Sequence, residues 1–344
     1  MERTSADPQP RKTAVITGIL GQDGAYLAEW LLRQNYRVLG WHRPGRAVDV
    51  WRLRCLGVAQ RVELMPVALT DKESISRELQ RIPVVDEFYH LGTRSTIDIQ
   101  NGELLEIVQE DSLNTVRILD CLRKHCPQTR FLFASSAEIF GQAETAPQDE
   151  LTAQRPSTAY GCCKMFGQNM TQLYRQSLGL FACSVILYNH ESPLRDERFV
   201  TQKIVKGLLA LRDKPDAVLT LGNLDAKRDW GCADEYVQGM WSVLQHERPE
   251  DFVLASGQAT TVRSFAEICA SEIGFELIWE NSERGEVGRD RKSNRIIIQV
   301  SQDLKRPAEP PLRLGNAEKA RRLLGWNVKK QVPDLIRWML SGDY

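Results

Sequence analysis

The chain has 344 residues, 42% of them hydrophobic, enough apolar surface for a large buried core and too much for a disordered chain. Lysine plus arginine number 45 and aspartate plus glutamate 45, so no long-range field favours nucleic acid or an anionic membrane surface, and any anionic ligand must be held by local groups. The first dozen residues lack the apolar core of a signal peptide, and no apolar run approaches the roughly 20 residues that span a bilayer, which points to a soluble cytoplasmic protein.

Residues 1–11 read as a disordered leader. From Lys12 onward, short β-rich runs alternate with helical ones: "TAVITG", "YLAEWLLRQN", "YRVLGWH", "VELMPVAL", "ISRELQRI" and "VDEFYHLG". The rhythm continues through "LNTVRILDCLRKHC", "TRFLFASS", a helix after Tyr160, and "FACSVILYNH". Alternating strands and helices are βαβ units on a parallel sheet, so the expected class is α/β, a Rossmann-type doubly wound sheet of about six strands. After His190 the rhythm breaks into loops, "TQKIVKGLLALR", "ADEYVQGMWSVLQ" and proline-rich "RPAEPP". The expected division is a dinucleotide-binding domain over 12–190 joined by 228–256, with 191–227 and 257–344 forming a smaller, mixed, substrate-binding lobe over the carboxyl edge of the sheet. Eight cysteines occur without a CxxC pair, which reads as buried thiols; no metal site is expected.

Between the first strand and first helix, "ITGILGQDG" sets Gly18, Gly21 and Gly24 at three-residue intervals. Glycines there permit a tight turn, close approach to a pyrophosphate and close helix packing, and the helix N-terminus attracts the negative charge. The second strand ends in "VLGWHRPGR" without the acidic residue that holds NAD ribose hydroxyls; Arg43 and Arg46 instead supply positive charge, which favours NADP. Further on, Tyr160 and Lys164 stand one helical turn apart. A tyrosine can act as a base only if its pKa falls well below about 10, and a lysine ammonium on the same face, with the positive nicotinamide of the cofactor, favours the phenolate. "FLFASSAEIFG" places Ser136 to bond a substrate hydroxyl and Glu138 to remove a proton beside a new carbonyl, a step simple redox chemistry does not need.

With "GQDGAYLAEWLL", "YNHESP", "RFVTQKI", "LGNLDAKRDWG" and "EVGR", the chain resembles the extended short-chain dehydrogenase/reductase family and, within it, the GDP-mannose 4,6-dehydratase group, over nearly its whole length after residue 12. The resemblance implies conversion of a GDP-hexose to its 4-keto-6-deoxy form with internal hydride transfer through bound NADP. It implies that Ser136, Glu138, Tyr160 and Lys164 are catalytic, and that Gln22, Asp23, Arg43, Leu69, Leu91, Gly92, Thr93, Ser95, His190 and Arg195 contact the cofactor along with the three glycines and the Tyr160/Lys164 pair. Ser95, Glu138, Asn189, Lys203, Leu221, Asn223, Arg228, Arg306 and Glu309 match positions around the GDP-sugar. A homodimer or homotetramer is implied as well, with the segment from Arg43 to Arg54 reaching a neighbouring subunit.

The match frays at two places. Arg43-Pro44 stands where the group has two arginines, Ala68 where it has an aspartate, and "TRSTI" replaces "AQSHV"; "PSTAY" replaces "PRSPY", and Ser136-Ala137 a threonine and serine. The second set approaches the sugar, which leaves GDP-heptose or a GDP-amino-sugar open as substrate. A GDP-4-keto-6-deoxyhexose reductase or epimerase is the neighbouring activity. A non-catalytic dinucleotide sensor fits poorly, because Tyr160, Lys164 and Glu138 are all kept.

Overall fold

Runs dense in Val, Ile, Leu and Phe form strands buried on both faces, as a parallel sheet requires. β1 (Thr13–Thr17) is buried at every position and β6 (Ala182–Leu187) likewise. The computed structural model describes residues 11–93, 104–214, 217–282, 285–304 and 312–344. Apart from Arg11, residues 1–11 lie outside them, as do Ser95, Arg306 and Glu309.

The chain runs β1, α1 (Gln22–Arg33), β2 (Arg37–His42), α2 (Trp51–Cys55), β3 (Val62–Pro66), α3 (Lys72–Arg81), β4 (Glu87–His90), α4 (Leu104–His125), β5 (Arg130–Ser136), α5 (Ala159–Leu178) and β6. It continues through β7 (Asn189–Glu191), α6 (Val200–Asp213), β8 (Leu219–Leu221), β9 (Lys227–Cys232), α7 (Ala233–Gln245), β10 (Phe252–Leu254), β11 (Ala259–Thr261) and α8 (Val262–Glu272). Last come β12 (Leu277–Ser282), β13 (Gly285–Asp290), β14 (Ile296–Val300), β15 (Leu312–Arg313), α9 (Glu318–Leu324) and α10 (Val332–Ser341).

The central sheet has seven strands in the order β10-β6-β5-β4-β1-β2-β3, every neighbouring pair parallel. This is the Rossmann-type doubly wound sheet, one strand larger than the sequence pattern suggested, because β10 returns from beyond α7 to pair with β6. The pleat sends successive residues to opposite faces: Ala14 and Ile16 join one core, with α1 and α7 over it, while Val15 joins another beneath α3 and α4. The strand order reverses between β1 and β4, the switch point at whose carboxyl end ligands bind in such sheets.

Two smaller sheets complete the molecule: β9 flanked by β11, β15 and β7, and the four-stranded β12-β13-β14-β8. Helices α6, α8 and α10 pack around these with their own core, which includes Ile204, Leu221, Phe265 and Met339. All eight cysteines are free; Cys162, read from sequence with the others as a buried thiol, is exposed, because it points outward from α5 while Cys163 and Lys164 point in. Among the described residues no helix is long and apolar enough to cross a membrane, and no cluster of His, Cys, Asp or Glu could hold a metal ion.

Candidate active site

The glycine-rich turn works by backbone geometry. Gly18 has φ +74°, and a Cβ there would stand 2.9 Å from the Gly92 backbone, so the ends of β1 and β4 close together only around a glycine. Thr17 braces the same spot, its hydroxyl bonding His90 Nδ1 at 2.8 Å and accepting from the Gly92 amide at 3.0 Å. A cavity of about 500 Å³ opens beside this turn, lined by Gly18, Gly21, Arg43, Leu69, Gly92 and Thr93 among others. Such a cradle of backbone at a helix N-terminus fits a dinucleotide. Arg43 lines it and donates to Glu110 Oε2 at 2.7 Å; Arg46 lies on the exposed loop beyond.

The start of α1 is tied to the segment after β6 by a polar network. Gln22 donates to the His190 carbonyl at 3.1 Å and accepts from Ser192 Oγ at 2.7 Å, and Asp23 Oδ2 lies 3.0 Å from His190 Nε2. Burial works to raise the Asp23 carboxyl, but the His190 charge and hydrogen bond outweigh it and hold the group well below the usual carboxylate range. Burial equally works to lower His190; the Asp23 carboxylate prevails and the imidazole is raised. Its Nδ1 donates to the Tyr188 carbonyl at 2.7 Å. Arg195 stacks 3.5 Å over the Phe199 ring and pairs through Nε with Glu191 at 3.0 Å.

A second cavity of about 180 Å³ adjoins the first through Thr93, which lines both. Around it stand Ser136, Glu138, Tyr160, Lys164, Asn189, His190 and Arg195, with Asp23 and Leu91. Ser136 ends β5 and caps the short 3₁₀ turn Ala137–Phe140, accepting from the Glu138 amide at 3.2 Å. Thr158 caps α5, accepting from the Gly161 amide at 3.0 Å, and its hydroxyl donates to Glu138 Oε2 at 3.1 Å. A Cβ on Gly161 would sit 2.6 Å from the Glu138 carbonyl, so the glycine after Tyr160 lets the helix start approach the Glu138 turn.

Lys164 is buried, donates to the Ala134 carbonyl at 2.6 Å and lies 5.5 Å from the centroid of the Tyr160 ring. Burial lowers it to about 8 against the pull of Asp111 and Asp23. With the protein's own groups alone Tyr160 is raised, so Lys164 by itself does not secure the phenolate that the sequence reading assigns to the lysine and the nicotinamide together. Burial raises the phenol well above its ordinary value and the Ser136 hydroxyl draws it back in part, while Lys164 gives one of its three donors to the Ala134 carbonyl.

The family described as GDP-mannose 4,6 dehydratase matches residues 15–339. This chain belongs to that family. A relative from Caenorhabditis elegans named GDP-mannose 4,6 dehydratase 2 is 38% identical, over 97% of this chain and 89% of that protein. Among solved structures, a dTDP-glucose 4,6-dehydratase from Bacillus anthracis in complex with NAD superimposes with TM-score 0.79 at 15% identity, over 96% of both chains. A protein named RMD from Pseudomonas aeruginosa, complexed with NADPH, gives 0.75 at 18% identity, over 96% of this chain and 98% of that one. At those identities the likeness shows the fold.

Not every residue singled out in the sequence converges. Lys203 stands on α6, Leu221 ends β8, Asn223 opens the following turn and Arg228 lies on β9; none of them lines either cavity. Leu221 is packed into an apolar core at 1% exposure, and its carbonyl accepts from the Ser301 amide at 2.8 Å. Two residues at the site were missed. Thr158 was legible as a threonine just before an apolar helix, the signature of an N-cap. Arg313, whose guanidinium Nη1 is ion-paired with Glu138 Oε1, gave no local signal, since it lies 175 positions further along the chain.

Proposed function

We propose that this chain dehydrates a GDP-hexose, GDP-mannose first among them, to GDP-4-keto-6-deoxyhexose. One observation carries the reading beyond family membership: a carboxylate, Glu138, shares a single cavity with Ser136, Tyr160 and Lys164. A tyrosine/lysine pair alone suits simple oxidation; the additional carboxylate suits elimination.

In this reading Ser136 orients the sugar O4 hydroxyl and Tyr160 accepts its proton while the hydrogen on C4 leaves as hydride. Glu138 then takes the C5 proton, now acidified by the C4 ketone, and the C6 hydroxyl departs with a proton as water. Hydride returns to C6 and a proton to C5, so the net change is loss of one water. A nicotinamide dinucleotide, when bound, accepts and returns the hydride and lends the positive charge that favours the Tyr160 phenolate. Holding the sugar against all these groups at once supplies the proximity the sequence of steps requires.

The Gly18 to Gly24 turn, with Gln22, Asp23, Leu69, Leu91, Gly92, Thr93, His190 and Arg195, would hold the dinucleotide. We read it as NADP because Arg43 brings a guanidinium to the cavity wall where the second strand lacks an acid. Its fork of five donors has capacity for a phosphate beyond the one bond to Glu110. Residues 12–190 with 228–256 would serve the dinucleotide, and 191–227 with 257–344 the GDP-sugar, through Asn189, Lys203, Asn223 and Arg228. The active form is a homo-oligomer in this reading, which sedimentation tests. The activity is tested by incubating purified protein with GDP-mannose and no added reductant. Formation of an alkali-sensitive 4-keto chromophore supports the dehydratase, whereas turnover only of keto-sugars with stoichiometric NADPH would make it a reductase.

A further inference from the structure

We propose that Arg313 is a positioning residue for the elimination half of the reaction, fixing the Glu138 carboxylate that takes the C5 proton; this rests on the dehydratase reading above. Each oxygen of Glu138 has its own donor: Arg313 Nη1 on Oε1 and the Thr158 hydroxyl on Oε2. Each oxygen of a carboxylate has two lone-pair directions, so two occupied ones set the plane of the group and leave one on each oxygen for the substrate proton. The Glu138 amide, bonded to Ser136 Oγ, fixes the main chain beneath. Neither partner is a surface ion: the side chains of Arg313 and Glu138 are 14% and 21% exposed.

The segment carrying Arg313 is rigidly framed. β15 pairs with β9 so that Arg313 lies beside Arg228, and the buried Asp229 carboxylate accepts from the Gly315 amide at 3.2 Å. On the other side the Gln148 amide donates to the Leu314 carbonyl at 2.8 Å and the Asn316 amide to the Gln148 carbonyl at 2.7 Å. Tyr188, two residues before His190, donates to Gln148 Oε1 at 2.7 Å and closes the frame. A frame anchored on both sides is more than an incidental contact needs. Arg313 also keeps its buried Nε without an acceptor among the described residues, a donor that folding alone leaves unused.

Oxidation at C4 requires Tyr160, Lys164 and Ser136 and none of the groups on β15. Removal of the C5 proton, with water leaving from C6, requires Glu138 in a fixed orientation. Loss of Arg313 therefore uncouples the two halves. The test uses the full chain carrying its dinucleotide, with GDP-mannose as substrate and the variants Arg313→Met and Arg313→Lys. Formation of reduced nicotinamide is followed by absorbance in a single turnover, and C5 exchange by mass spectrometry in deuterated water.

For Arg313→Met we expect kcat to fall about 10²-fold or more, as for loss of a positioned acid–base group. KM should stay within a few-fold, C5 exchange should be lost and reduced nicotinamide should accumulate; Arg313→Lys should restore part of kcat. Wild-type turnover with Arg313→Met unchanged overturns the proposal, and so does equal loss of both half-reactions, which marks a merely structural role. If Arg313→Met does not fold, the same comparison on Arg313→Lys decides. Wild-type protein that forms no keto-sugar from any GDP-hexose overturns the dehydratase reading itself, a result distinct from either.

Discussion

At the scale of the residue, the chemistry rests on groups whose behaviour in isolation differs from their behaviour in the fold. Tyr160 is raised by burial and Lys164 lowered to about 8, so the phenolate needs a further positive charge beside it. Tyr160→Phe should keep GDP-sugar affinity within a few-fold by calorimetry while reducing kcat about 10²–10⁴-fold, the range for removing a general base. Arg43 sits on the wall of the larger cavity, and charge-assisted bonds to a 2′-phosphate are worth about 1.5–3 kcal/mol. Arg43→Ser should therefore weaken NADP about 10- to 100-fold in a binding titration and leave NAD nearly unchanged. Gly18→Ala puts a side chain into a left-handed conformation against the Gly92 backbone. It should lower the melting temperature, with at least about 1–2 kcal/mol lost from the backbone alone, and release the dinucleotide on gel filtration.

Between elements, the link that matters most joins the N-terminal turn of α1 to β7 through Gln22, Asp23, His190 and Ser192. Its ion pair has a defined pH window. His190 is raised above 6.5, so its share of the stability is full below that value and lost as pH climbs through the raised one. Asp23 is lowered below 3.8, so its share is full above that value and lost as pH falls through the lowered one. The destabilisation caused by His190→Asn, measured by urea unfolding, should therefore be largest between pH 3.8 and 6.5 and shrink in alkaline buffer. Helix α5 makes a second link: Thr158 caps it and at the same time donates to Glu138, so the helix start and the candidate base are set by one hydroxyl.

Across the whole molecule, Ser136 at the end of β5, Glu138 on the turn after it, and Tyr160 and Lys164 on α5 meet around one cavity, and the later part of the chain supplies Arg313. What the amino-acid order determined by itself is whatever depends on near neighbours. Alternating apolar runs dictated the parallel sheet, "ITGILGQDG" dictated a turn that only glycine closes, and the four-residue spacing of Tyr160 and Lys164 dictated a shared helix face. These were legible because strand pleat, helix pitch and turn sterics act over a few residues. Tertiary structure alone decided the rest. The seventh strand pairs with β6 across an intervening lobe segment, and Arg313 reaches Glu138 only because β15 docks on β9. Tyr160 and Lys164 shift as they do because packing removes water from around them. Long-range pairing and desolvation depend on what the fold brings close, and no local pattern in the chain records that.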